Sequence, residues 1–102
     1  MTIQLNTDKN LSIQGEYAEK LEAMLSAGLT RFTDHITRLE AHFSDENGAK
    51  GGVKDKRCLL EARIAGRQPV AVTEIADTYD LAVSGAIDKM KTVLTKSLET
   101  HK

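Results

Sequence analysis

The hydrophobic period of this chain changes twice, and that switch restricts the fold more than any single motif. From Tyr17 onward, Leu21, Met24, Leu25, Gly28, Leu29 and Phe32 recur at steps of three and four, the spacing of one helix face. From Thr37 the step becomes two. Leu39, Ala41 and Phe43 alternate with Arg38, Glu40 and His42, and later Cys58, Leu60, Ala62 and Ile64 alternate with Arg57, Leu59, Glu61 and Arg63. Alternation of this kind belongs to strands with one buried face. Val70 and Val72 start a third such run behind Pro69, at a strand start where a missing amide is tolerated. The helical step returns with Ala82, Val83, Ala86, Ile87, Met90, Val93, Leu94 and Leu98, and Asp77 or Thr78 is placed to cap that helix. Ile3 and Leu5 add a short first strand, followed by a turn-like "NTDKN". The predicted order is β-α-β-β-β-α. Each strand offers one apolar face, so a four-stranded sheet with two helices packed on one face, a two-layer α+β domain, satisfies all of them. The 102 residues suffice for one core, and 1–102 is read as a single domain.

Several function classes find no support in the residues. No apolar run is long enough to cross a bilayer, and the alternating "MTIQLNTDKN" is not a signal-peptide core, so the expected location is the cytoplasm with no membrane partner. The lone Cys58 excludes an internal disulfide and falls on the inward phase of its strand, as a small buried hydrophobe. In "SDENGAKGG", Asp45, Asn47 and Gly48 have the spacing that starts a calcium loop, but strands flank the segment and no glutamate arrives in register. It is read as the tip of a hairpin. His35, His42 and His101 show no paired zinc spacing; His42 is on an outward phase and is read as solvated, and His35 lies near the end of the first helix. No glycine-rich phosphate loop is present, and Asp77, Asp80 and Asp88 are read as capping and solvated acids. The expectation is a protein with no metal, no cofactor, no small-molecule substrate and no catalysis.

Charge is near balance overall, at −1, but unevenly spread. The stretch 50–67 carries a net of +4 and 89–102 a net of +3, while 15–35 carries −2. Two basic zones on a neutral protein suffice for a one-sided patch. The candidates on the helices are Lys89, Lys96, Lys102, Lys91, Arg31 and Lys20; a secondary zone contains Lys54, Lys56, Arg57 and Arg67. On charge alone these fit an ordinary wet helix face or an RNA-binding one. The outward strand positions Arg38, Glu40, Arg57, Glu61 and Arg63 are expected to pair weakly, opposite charge to opposite charge, across the sheet. Gly85 interrupts the last helix at roughly 1 kcal/mol relative to alanine.

The layout and several residues resemble the ribosome hibernation family, which includes hibernation-promoting factor and ribosome-associated inhibitor A, also called sigma-54 modulation proteins. The resemblance runs over nearly the whole chain. It covers the "IQLNT" strand, a first helix ending in Leu29, Arg31 and Phe32, the long hairpin, and the closing "DTYDLAVSGAIDKMKTVLTK", where Asp77, Tyr79, Asp88 and Lys89 match the family's D-x-Y and D-K positions. The resemblance implies a fold like double-stranded RNA-binding domains. It also implies binding to the small ribosomal subunit and the 70S ribosome, through 16S rRNA in the channel used by mRNA and tRNA, as a stress or stationary-phase translation inhibitor. The implied rRNA-binding residues are Lys89, Lys96 and Arg31, with Lys91, Lys102, Lys20 and Tyr79 beside them. The chain resembles the short form, which has no ribosome-pairing domain. It departs where one extra residue separates Tyr79 from Asp88–Lys89, so that in register with that pair Asp80 takes the family tyrosine's place, and where Thr92 stands for a family arginine, Lys91 for an acid and Gly28 for a lysine. The low net charge and these changes keep a rival open: a protein-interaction module on the same fold that has lost the ribosome. Homo-oligomerisation is left open.

Overall fold

The computed structural model describes residues 1–7, 13–45 and 56–100. The elements follow the predicted order: β1 (Thr2–Thr7), α1 (Gly15–Gly28), a short 3-10 turn (Thr30–Phe32), β2 (Ile36–Asp45), β3 (Lys56–Ile64), β4 (Val70–Ala76) and α2 (Tyr79–Thr100). The sheet is ordered β1-β2-β3-β4. β1 runs parallel to β2, and the other two pairings are antiparallel. A parallel pair requires a crossover, which α1 provides; the antiparallel pairs follow from short connections.

Register is set by the apolar face. Leu39, Ala41 and Phe43 face Ala62, Leu60 and Cys58 across the central pair, and all six are at most 2% exposed. A one-residue slip would turn this whole set toward solvent. A bulge between Ile36 and Arg38 absorbs the one irregularity, and the Thr37 hydroxyl there donates to the Arg63 carbonyl at 3.1 Å. Both helices cover this face. Leu21, Leu25 and Leu29 from α1 and its following turn, and Ala82, Val83, Ala86, Met90 and Leu94 from α2, are fully buried. Each large aliphatic side chain buried in this way stabilises the fold by about 1.5–3 kcal/mol.

The helix ends are set locally. Thr78 caps α2: its hydroxyl accepts from the Leu81 amide at 3.1 Å, and its carbonyl accepts from the Ala82 amide at 2.9 Å. At the end of α1 the Thr30 hydroxyl donates to the Ser26 and Ala27 carbonyls at 2.9 and 3.1 Å, where the helix gives way to the 3-10 turn that buries Phe32. His35 lies beyond that turn, outside the helix. The predicted turn at Gly66 is present, with a positive φ of 73° that glycine adopts without a Cβ clash.

Asp45 and Lys56 are the last cross-strand partners of the antiparallel β2–β3 pairing. The predicted hairpin tip, with Asn47 and Gly48, lies outside the described residues. The Asp45 carboxylate reaches the Lys56 ammonium at 3.2 Å, the cross-strand neighbour.

Candidate nucleic-acid interface

α2 organises the predicted cations, and helical spacing divides them between its two flanks. Asp80, Ile87 and Lys91 are seven and four residues apart and share one side. That side meets α1: the Tyr17 hydroxyl donates to Asp80 Oδ1 at 2.6 Å, the Lys20 ammonium pairs with Asp80 Oδ2, and Gly28 packs on Ile87. Lys89 and Lys96, seven residues apart, share the other side, which meets β4. There the Lys89 ammonium donates to the Thr73 carbonyl at 2.7 Å and pairs with Glu74 Oε1 at 2.8 Å.

Two of the predicted contacts are therefore also structural ties. Lys20 and Lys89 each hold an acid while their side chains remain 58% and 53% exposed. Their heads reach solvent, but a phosphate must share them with Asp80 or Glu74. Arg31 and Lys91 differ. Both are exposed, and neither has an ion pair among the described residues. The Arg31 guanidinium lies 5.0 Å from the Phe32 ring centroid, a cation–π contact that orients it. Arg31 follows Gly28 and Lys91 is one turn beyond Ile87, so the two share one end of the α1–α2 seam. The outer face of α1 opposes such a footprint, because Glu16, Glu19 and Glu22 are exposed along it.

Tyr79 is placed as a packing residue. Its ring meets Phe43 edge-on at 5.7 Å and 89°, and its hydroxyl oxygen is buried. The secondary basic zone is contiguous in sequence but not in space. Lys56 and Arg57 start β3, and Arg67 follows its far end, about 25–30 Å away along the strand. The Arg67 Nη1 donates to the Ser97 carbonyl at 2.5 Å, a cation on the negative end of α2. Lys96 is exposed one residue from that contact. Lys54 and Lys102 lie outside the described residues.

Among the described residues the opposite face of the sheet carries no helix. The expected pairing of opposite charges across strands is not what the register produces: Glu40 faces Glu61 and Arg38 faces Arg63. The apolar face dictates the register, and the outward charges follow it. Arg38 instead pairs along its own strand, Nε to Glu40 Oε2 at 2.9 Å, and His42 Nε2 lies 3.3 Å from Glu40 Oε1. His42, expected to be solvated, is 40% exposed against that carboxylate. Cys58 is buried as expected, and burial pushes its thiol up to about 12, which leaves it unreactive near neutral pH.

No known family model matches the sequence, and no curated protein matches it. Solved structures do. The chain is similar to the N-terminal domain of Thermus thermophilus protein Y, at 23% identity and a TM-score of 0.73, over 94% of this chain and 98% of that one. It is also similar to a ribosomal subunit interface protein from Coxiella burnetii, at 20% identity and a TM-score of 0.76, over 97% of this chain and 99% of that one. At these identities the likeness establishes a shared fold from end to end.

Proposed function

We propose that the chain belongs to the ribosome hibernation family and acts as a non-catalytic, ribosome-associated factor in the cytoplasm. The observation that carries this is the end-to-end match with two structures, a protein Y N-terminal domain and a ribosomal subunit interface protein. The family's helix-ending residues in this sequence, Leu29, Arg31 and Phe32, and the D-K pair Asp88–Lys89 support it independently. The finer reading is that the protein enters the small subunit's mRNA and tRNA channel and occludes it under stress or in stationary phase.

The chemistry is phosphate neutralisation on a rigid scaffold. Arg31 and Lys91 at one end of the α1–α2 seam, and Lys89 and Lys96 on the β4 flank, present cations on helices held by a common core. Such contacts release counterions and weaken with salt. Aromatic residues are 4% of the chain and Phe32, Phe43 and Tyr79 are committed to packing, so recognition rests on backbone shape rather than on base stacking. Chemical probing of 16S rRNA in purified small subunits tests the location: the bound protein is expected to protect channel nucleotides and to compete with mRNA and tRNA. Protection confined to the solvent side of the subunit would overturn it.

The rival, a protein-interaction module, calls for a contiguous exposed apolar patch. Among the described residues the large exposed hydrophobics are Ile75 and Leu81, at 41% and 55%. The first is on the open sheet face and the second on the first turn of α2, so they form no such patch.

A further inference from the structure

We infer that the open face of the sheet carries a divalent transition-metal site formed by Glu40, His42 and Glu61. The inference stands apart from the ribosome reading and survives or fails without it. The three residues lie on β2 and β3, the two central strands, where the backbone is fixed on both sides. Their ligating atoms all fall within 4.8 Å of one another. The set is a mixed imidazole–carboxylate one, suited to zinc and its neighbours rather than to magnesium, which prefers oxygen alone.

Three observations point to a cation here. First, Glu40 and Glu61 are direct cross-strand partners and both are half-buried. Like charges opposite one another destabilise a strand pair. Second, Glu61 makes no hydrogen bond or ion pair among the described residues, so no side chain there holds its carboxylate; the nearest cations on this face, Arg38 and Arg63, occupy the neighbouring cross-strand pair. Third, two ligands already have the right spacing. His42 Nε2 and Glu40 Oε1 are 3.3 Å apart, the edge of a tetrahedron with bonds of about 2.0–2.1 Å. The Glu61 carboxylate lies within 4.8 Å of both, within reach of a side-chain rotation that would complete the set. Arg38 holds the other oxygen of Glu40 at 2.9 Å; it orients that carboxylate and leaves Oε1 for the ion, as outer hydrogen bonds do in metal sites. Three protein ligands leave an open position for water or an anionic group.

Zinc titration of the full chain by calorimetry, with the ring nitrogens of 15N-labelled histidine followed by NMR, tests the assignment. The expected result is one zinc per chain with micromolar affinity and a displaced His42 Nε2 resonance. His42→Ala and Glu61→Gln, both outside the core, are each expected to weaken binding at least tenfold with circular dichroism unchanged, while Cys58→Ser binds as wild type. No stoichiometric binding below about 100 μM zinc would overturn the site, as would wild-type affinity in the His42 and Glu61 variants.

Discussion

The two flanks of α2 are built on the same plan and differ in what they can yield. On each, a lysine is tied to an acid and a glycine lets another residue come close. A Cβ on Gly28 would stand 2.8 Å from Ile87 Cγ2, a side chain 6% exposed and packed into the core. A Cβ on Gly85 would stand 2.5 Å from Glu74 Oε2 and 2.7 Å from its Cδ and Cγ, a flexible side chain held at its other oxygen by the exposed Lys89. The α1 flank is thus a packed contact with no room to relax, and the β4 flank is a clasp that can open. The difference teaches which cations are available. On the α1 flank Lys20 is fixed by Asp80, but Arg31 and Lys91 at its far end carry no ion pair among the described residues. On the β4 flank Lys89 is engaged twice.

The largest expected effect separates the flanks by affinity. Charge reversal of Arg31 and Lys91 together should weaken binding to small subunits by roughly 10- to 100-fold, about 1.4–2.7 kcal/mol. Reversal of Lys89 and Lys96 should cost less, because Glu74 already neutralises Lys89; equal losses, read by fluorescence titration, would break the distinction. Next comes packing: Gly28→Val should destabilise the fold by about 1–3 kcal/mol in urea melts, since the core around Ile87 must give way. Tyr17→Phe should cost roughly 1 kcal/mol for the hydrogen bond to Asp80.

That same tie has a pH window. Burial, and secondarily the Asp80 carboxylate, push the Tyr17 hydroxyl from 10.0 up to about 12. The hydrogen bond from Lys20, and then that from Tyr17, hold Asp80 below its usual 3.8. Tyr17 therefore contributes stability that is in place below pH 10.0 and lost as pH rises toward 12. Asp80 contributes stability present above pH 3.8 and lost as pH falls below it. The melting temperature of Asp80→Asn should approach that of the wild type at both extremes. The smallest effect is on the β4 flank. Gly85→Ala gains about 1 kcal/mol of helix propensity and gives up an exposed clasp, so the net change should stay within roughly 0.5 kcal/mol. A loss as large as that of Gly28→Val would mean the clasp is as rigid as the packed contact.

Most of the fold was legible because each element keeps one period. The alternation at Leu39, Ala41 and Phe43 and the stripe from Ala82 to Leu94 have one arrangement that buries both. The parallel pairing of β1 with β2 was not legible, because two inward residues, Ile3 and Leu5, do not name a partner strand. The functional surface was less legible still. Candidates chosen by charge alone could not be sorted into engaged and available, because Glu74 and Asp80 are distant in sequence from Lys89 and Lys20, the lysines they hold. Tyr79 matched a family motif, yet the structure turns its ring onto Phe43. The convergence of Glu40, His42 and Glu61 was also out of reach, since register, not local sequence, puts like charges opposite each other. The one available signal was that all three fall on outward phases of adjacent strands.

The most direct test of the central claim is cosedimentation of the protein with purified small subunits and with 70S ribosomes across a salt series. The account predicts saturable, one-to-one binding whose logarithmic affinity falls linearly with logarithmic salt, by somewhat under one unit per phosphate contact, and whose slope shrinks by about one for each of Arg31 and Lys91 removed. No binding at low salt, or binding indifferent to salt and to those two residues, would contradict it.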